Sequence, residues 1–266
     1  RFVFRNAFRQ KTTSIGDVEK MNKKIFAANW KMYLNSNESR EFMLKINANK
    51  DLFSDFDIMI FPSHVAISII QDLAKGFDNI KIGMQDCDIL TSGAVTGSNS
   101  ITSHKVDSCI VGHSERRTIF NENDELIKKK LNNCLDQIGS AILCVGETLN
   151  EKEENKTFEV IKKQLSILPH QIQGKNLDIA YEPVWAIGTG LVASKQHIED
   201  VLSYINILIK ELYSVEDRPN IRLFYGGSVD ENSVEELSSI LLLDGFLIGS
   251  ASADFEKFKN MLNKMR

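Results

Sequence analysis

Short runs of apolar and β-branched residues alternate along this chain with longer segments in which apolar residues recur three and four positions apart. Buried strands produce the first pattern and amphipathic helices the second, so the alternation predicts repeated strand and helix units. Eight strand runs can be counted, and each is interpreted as a strand of a parallel sheet buried on both faces. They are KIFAAN from 24, DIMIF from 57, NIKIG from 79, SCIVG from 108, SAILCV from 140, LDIAYE from 177, IRLFYG from 221 and DGFLIG from 244.

The segments between these runs have helical periodicity. Examples are ESREFMLKINANK, NDELIKKKLNNCLDQI and ASKQHIEDVLSYINILIKEL. We therefore expect a helix after each of the eight strands. Eight such units can close into an α/β fold, the (β/α)8 barrel, and the length of the chain is close to the roughly 250 residues typical of that fold. A doubly wound open sheet is the alternative arrangement of the same units.

The chain divides into an N-terminal extension, residues 1–22, and a single barrel domain, residues 23–266. The extension is rich in Arg and Lys up to Ile15, as in the tail of an organellar transit segment, although Asp17 and Glu19 weaken that pattern. An ordinary extension is the equal alternative. The first interpretation places the protein in a mitochondrion or a plastid-like organelle, and the second in the cytoplasm.

Charge and composition limit the classes of molecule that the protein is expected to bind. The formal net charge is −4 and the sequence pI is about 5.8, so no basic field favours nucleic acid or an anionic membrane. A small-molecule partner is expected instead. The four cysteines show neither CxxC spacing nor an accompanying His pair, so we expect reduced thiols and no metal site. No cofactor is expected either.

Polar or glycine-rich groups follow five of the predicted strands. Barrel enzymes carry their active sites at the carboxyl ends of the strands, so these groups are expected to surround one mouth. They are Asn29 and Lys31 after the first strand, His113 and Glu115 after the fourth, Glu182 after the sixth, Gly226-Gly227-Ser228 after the seventh and Gly249-Ser250 after the eighth.

This set of residue types suits proton transfer beside a carbonyl group. A carboxylate can remove the proton, while an imidazole and an ammonium stabilise the charge that develops on the oxygens. Glycine-rich turns let backbone N–H groups approach a phosphate closely because no Cβ intervenes. The sequence therefore predicts an enzyme that acts on a small phosphorylated carbonyl compound.

At these positions the chain resembles a known family. The segments AANWKM, GAVTG, VGHSERR, CVGE, AYEPVWAIGTG, FYGGSV and DGFLIG are similar, in order, to the motifs of triosephosphate isomerase, over about residues 24–258. The resemblance implies interconversion of dihydroxyacetone phosphate and D-glyceraldehyde 3-phosphate through an enediol or enediolate, a step of glycolysis and gluconeogenesis. It also implies a homodimer.

The resemblance assigns catalytic roles. It makes Glu182 the base and His113 the neutral imidazole that polarises the carbonyl group, a behaviour for which this family is itself the standard example. Lys31 supplies positive charge near the phosphate and the oxyanion, with Asn29 as a hydrogen-bonding partner, and both contact substrate. Glu115 corresponds to a second carboxylate that acts either as a hydrogen-bond relay or by positioning the lysine.

The resemblance also assigns a lid and phosphate contacts. Residues 183–193, PVWAIGTGLVA, are similar to the lid that closes over substrate and excludes water, with an N–H of Gly188 on the phosphate. Backbone N–H groups of Ser228, Gly249 and Ser250 complete the phosphate site.

Three departures from the family pattern carry expectations. Ser250 replaces a glycine, and its Cβ restricts φ and ψ and crowds the anion, so we expect a raised KM. Leu191-Val192 replaces Lys-Thr at the end of the lid, so we expect altered lid kinetics. In the dimer loop, residues 93–98, Thr96 is kept but Ser98 replaces a carboxylate, so we expect Arg116 to lack its partner and the dimer to be weakened.

Two other functions fit parts of the sequence. One is a phosphate-binding or scaffold barrel without turnover. The departures at Ser98, Leu191 and Ser250 favour it, whereas the presence of a base and two electrophiles argues against it. The other is an aldolase with a Schiff-base lysine, which needs a lysine buried within a strand.

Overall fold

Eight parallel strands close into a barrel in chain order in the structure, a computed structural model that describes residues 24–187 and 191–266. The extension expected at residues 1–22 lies outside the described residues. The strands are β1 (Ile25–Asn29), β2 (Asp57–Phe61), β3 (Ile80–Met84), β4 (Ser108–Val111), β5 (Ser140–Val145), β6 (Asn176–Tyr181), β7 (Ile221–Tyr225) and β8 (Gly245–Ile248). Closure between β1 and β8 confirms the (β/α)8 barrel and excludes the open sheet.

The helices pack around the outside of the barrel. They are α1 (Ser36–Ala48), α2 (Lys50–Phe53), α3 (Ile67–Ala74), α4 (Ser114–Thr118), α5 (Asp124–Gln137), α6 (Leu149–Glu153), α7 (Thr157–Leu165), α8 (Lys195–Leu212), α9 (Val234–Ser238) and α10 (Phe255–Met265). Side-chain oxygens of Asn35, Asn123 and Ser194 accept backbone N–H groups where α1, α5 and α8 begin. No helix in the described part of the chain is both long and apolar enough to cross a bilayer.

The expectation of a helix after every strand is wrong at one crossover. Residues 85–107, all of which the structure describes, connect β3 to β4 without a helix. From Thr91 to Asp107 this segment carries closely spaced glycine, serine, threonine and asparagine and has no two apolar residues three or four apart. Such residues favour turns over helix, so the crossover is a long loop.

Apolar side chains form two layers, one inside the barrel and one between the strands and the helices. The inner layer includes Ala27, Met59, Phe61, Cys144 and Leu247, all at most 4% exposed. Because the lumen is filled by these side chains, it is a packed core and not a channel. A substrate can therefore bind only at the ends of the barrel.

A buried ionic cluster ties the loop after β3 to α4 and α5. The Lys130 ammonium lies 2.7 Å from Asp86 and 2.6 Å from Glu122, and the Arg116 guanidinium lies 3.0 Å from Asp86 and 2.5 Å from Glu122. The expectation that Arg116 lacks a partner is therefore wrong. Two carboxylates of the same chain, those of Asp86 and Glu122, pair with Arg116. The sequence alone did not show these contacts.

Candidate active site

One cavity of about 380 Å³ opens at the carboxyl ends of the strands. It is lined by Asn29, Lys31, His113, Glu182, Ser228, Gly249 and Ser250, among others. These seven residues come from the ends of five strands that are far apart in sequence. Their convergence follows from the barrel, which turns the carboxyl ends of all its strands to the same side.

Glu182 and His113 face each other in this cavity. Glu182 Oε1 lies 3.1 Å from His113 Nε2, and Glu182 Oε2 accepts a hydrogen bond of 2.9 Å from the backbone N–H of Ser114. The two side chains are 2% and 7% exposed. Little water reaches the pair, so a charge that develops there interacts strongly with its neighbours.

The contacts of His113 define its tautomer. His113 precedes α4, and its Nδ1 accepts the backbone N–H of Glu115 at 3.2 Å. A ring nitrogen that accepts a hydrogen bond carries no proton, so a neutral ring has its proton on Nε2. That N–H points toward Glu182 and the cavity, where it can donate to a carbonyl oxygen.

Lys31 reaches the cavity from a backbone conformation that few residues adopt. Its φ is +47°, in the left-handed region, and such strain persists only where the surroundings impose it. Asn29 Oδ1 accepts the Lys31 N–H at 3.1 Å, and the Gln85 amide donates to the Lys31 carbonyl at 2.7 Å. The Lys31 ammonium then lies 2.5 Å from Glu115 Oε1. Contacts from Asn29 and Gln85 therefore hold the Lys31 backbone, and the contact with Glu115 holds its ammonium.

Glycines at the ends of β7 and β8 make room for the charged groups. A Cβ on Gly226 would lie 2.8 Å from Glu182 Cγ, and one on Gly249 would lie 3.2 Å from Lys31 Cε. Any larger residue would displace the carboxylate or the ammonium. Ser250, which lines the cavity, does not have a positive φ, so its Cβ does not strain the backbone there.

The segment after Glu182 is anchored to the barrel at its beginning. Trp185 Nε1 donates to Glu147 Oε1 at 2.8 Å, and Ser228 Oγ donates to the carbonyl of Ala186 at 2.6 Å. Farther along, Leu191 and Val192 are 50% and 63% exposed. Gly188, expected to contact phosphate, lies outside the described residues.

Cys144 lies beneath the carboxylate in the inner layer of the barrel. Burial, and then the nearby charge of Glu182, raises the pKa of the Cys144 thiol. The group therefore remains protonated and does not compete as a nucleophile.

The structure brings together nearly all the residues that the strand ends had indicated. Glu115 does not line the cavity but bonds to Lys31, a pairing across 84 positions. Sequence reasoning missed Gln85, which bonds the carbonyls of Lys31 and Phe61. Gln85 is the first polar residue after β3, so inspection of every strand end would have found it.

These features define a class of protein: a (β/α)8-barrel enzyme equipped for proton transfer beside the carbonyl group of a small anionic substrate. An aldolase is excluded among the described strands, because their one lysine, Lys81, is exposed.

Comparison with known proteins identifies the member of this class. A profile of the triosephosphate isomerase family matches residues 24–265. Triosephosphate isomerases from Alkaliphilus oremlandii and Borreliella burgdorferi are 37% and 40% identical, over 91% and 92% of this chain and 100% of each relative. The chain belongs to the triosephosphate isomerase family. It is an isomerase that interconverts dihydroxyacetone phosphate and D-glyceraldehyde 3-phosphate on a TIM barrel.

Proposed function

We propose that Glu182 is the base of this reaction and that His113 and Lys31 are its electrophiles. The observation that supports the proposal is their convergence on one cavity of about 380 Å³. Glu182 removes a proton from the carbon next to the carbonyl group and returns it to the neighbouring carbon. The His113 Nε2–H and the Lys31 ammonium stabilise the enediolate oxygens in between.

Substrate has to displace Glu182 from its present contacts. While Glu182 Oε1 occupies the Nε2–H of His113, that donor is not available to a carbonyl oxygen. A bound triose phosphate therefore takes over the His113 hydrogen bond and frees the carboxylate to face the carbon acid. The bond from the Ser114 N–H to Glu182 breaks in the same step.

We assign Glu115 a positioning role, of the two roles that the resemblance leaves open. Its carboxylate is 42% exposed and bonds Lys31 at 2.5 Å, whereas its distance from His113 Nδ1 is 3.6 Å. The shorter contact orients the ammonium toward the cavity. Asn29 holds the Lys31 backbone and, 4% exposed at the cavity wall, offers its amide to substrate.

The phosphate of the substrate is assigned to the turns after β7 and β8. Ser228, Gly249 and Ser250 line this side of the cavity, and we assign their backbone N–H groups to the phosphate. The resemblance adds the N–H of Gly188, which lies outside the described residues. Closure of residues 183–193 excludes water, which protects the enediolate from loss of phosphate. The contacts of Trp185 and Ala186 hold the beginning of this segment against the barrel.

A coupled assay separates this enzyme from a barrel that only binds phosphate. It measures isomerisation of glyceraldehyde 3-phosphate by the full chain, and a thermal-shift measurement with a phosphate ligand runs in parallel. Turnover together with stabilisation supports the assignment. Stabilisation without turnover would establish a binding protein.

Ser250→Gly is expected to lower KM about threefold and leave kcat nearly unchanged. The serine is exposed at the cavity and its backbone is unstrained, so the substitution relieves crowding of the anion in the ground state and the transition state alike. Steady-state kinetics with both triose phosphates measure the change. An unchanged or higher KM would show that the side chain does not crowd the phosphate.

We propose that the chain forms a homodimer through residues 93–98 and the surface beside Met32. The family to which it belongs is typically dimeric, and Met32 at 96% and the neighbouring Tyr33 at 56% exposure offer apolar surface to a second chain. The loop around Thr96 is also exposed.

Because Arg116 is already paired within its own chain, Ser98→Glu is expected to change the dimer dissociation constant less than about tenfold, or 1.4 kcal/mol. Sedimentation velocity over a concentration series measures it, with Thr96→Arg as a variant that should dissociate. A dimer dissociation constant a hundredfold lower for Ser98→Glu would show that the missing carboxylate does weaken the dimer.

We propose that residues 1–22 determine the compartment of the protein. Fusion of this segment to a fluorescent reporter tests which of the two locations is correct. Import into a mitochondrion or plastid-like organelle identifies a transit segment, and diffuse cytoplasmic fluorescence identifies a plain extension.

A further inference from the structure

Three buried cysteines meet on the outer side of the barrel wall. Cys87 follows β3, Cys109 lies on β4 and Cys134 lies on α5, and their Sγ atoms are all within 4.8 Å of one another. The Cys87 and Cys134 sulfurs are 3.3 Å apart. The three residues are 2%, 0% and 0% exposed. Their spacing in sequence, 22 and 25 positions, gives no hint of this cluster.

We propose that Cys87, Cys109 and Cys134 form a three-sulfur binding site for Cu(I). Soft thiolate ligands favour soft cations, and Cu(I) accepts three sulfurs in a plane. With metal–sulfur bonds of about 2.3 Å, the sulfurs of such a site lie roughly 4 Å apart, within the range that the cluster spans. This site is separate from the catalytic cavity, none of whose lining residues belongs to it.

The number of ligands favours Cu(I) over zinc. Structural zinc sites are almost always tetrahedral with four protein ligands. Among the described residues, no fourth His, Cys, Asp or Glu joins the three cysteines. The surroundings are apolar core, so water is a poor source of the missing ligand.

Binding of Cu(I) at this cluster exchanges protons for the metal ion. Cu(I) replaces the thiol protons, which leave to the buffer, and no electron is transferred. The Lys130 ammonium, on the same helix as Cys134, offsets part of the negative charge of the three thiolates.

Burial determines how the ion enters. With all three sulfurs covered, the folded chain offers no open path, so the site is loaded as the chain folds. The experiment therefore refolds the full chain from guanidinium without oxygen, in the presence of one equivalent of Cu(I) buffered by bicinchoninate. Copper retained after desalting is then measured, together with the copper K-edge absorption spectrum.

We expect about one copper per chain, coordinated by sulfur alone. Cys109→Ala and Cys134→Ala are each expected to weaken binding at least roughly 100-fold, since even loss of a supporting residue costs up to that much. Cys144→Ala is the matched control: it removes another fully buried strand cysteine, in the inner layer, and should retain copper. Circular dichroism identifies the variants that refold. One refolded variant, Cys109→Ala or Cys134→Ala, is enough to test whether the cysteines bind the copper.

Three results would overturn the proposal. The wild type could retain no copper against bicinchoninate, the folded Cys109→Ala or Cys134→Ala chain could retain as much as the wild type, or the absorption spectrum could show nitrogen or oxygen ligands. None of these results bears on isomerisation, which the coupled assay measures separately.

Discussion

Glu182→Gln is expected to lower kcat for triose phosphate isomerisation by about 10³-fold, within the roughly 10²–10⁴-fold that a general base contributes. The amide keeps the size of the side chain and its place beside His113, but it cannot accept a proton from carbon. Because the substitution acts on the transition state, KM should change little. Steady-state assays in both directions measure the effect.

The control for this variant is another carboxylate of the same cavity. Glu231 lines the cavity but has no contact with His113 or Lys31 among its described interactions, so Glu231→Gln should cost less than about tenfold in kcat. A thermal-shift measurement with a phosphate ligand confirms that the Glu182→Gln chain still folds and binds. A Glu182→Gln enzyme that keeps a tenth or more of wild-type kcat would show that another group removes the proton.

The strands could be predicted from sequence because each is a short apolar run bounded by polar residues. All eight are observed within a few residues of the predicted positions. The crossover after β3 was not predicted, because the expectation extended a regular repeat over residues 85–107, whose glycines and polar residues do not support a helix. Local composition decides the conformation there, whatever the periodicity elsewhere.

The site was largely predictable for a topological reason. A barrel collects the carboxyl ends of its strands, so Asn29, His113 and Glu182 could be assigned to one mouth without knowledge of side-chain positions. Sequence position alone could not show which groups touch. The contact of Lys31 with Glu115 and the support of Lys31 by Gln85 depend on the path of the chain after each strand.

The same limitation explains the error about Arg116. Arg116 was expected to need a carboxylate from a second chain, yet Asp86 and Glu122 reach it within its own chain. The absence of short spacings likewise predicts no metal site at the cysteines, a prediction that the proposed copper site opposes. Spacing rules detect ligands on one loop or helix, whereas a barrel wall can assemble ligands from a strand, a loop and a helix.

The largest stability effect is expected for Lys130→Met in the buried ionic cluster. Lys130 is 6% exposed and bonds both Asp86 and Glu122, so its loss leaves the buried Glu122 and the partly buried Asp86 with Arg116 as their partner. Breaking such a pair by removing one member costs roughly 3 to 5 kcal/mol. Guanidinium unfolding measures the loss. Lys129→Met, the same substitution one position away on α5, removes an exposed contact to Glu125 and should cost less than about 0.5 kcal/mol.

The pH dependence of the Lys130→Met effect distinguishes lost charge pairing from lost packing. Burial raises the pKa of Asp86 to about 6 even though Lys130 lowers it, so the variant's Asp86 should titrate higher still. A carboxyl whose pKa is higher in the folded chain than in the unfolded chain takes up a proton on folding, so its folded state gains stability as pH falls. The destabilisation should therefore be full at about pH 8 and markedly smaller at about pH 5. A loss of equal size at both pH values would mean that Lys130 stabilises the fold through its packed methylenes and not through its charge.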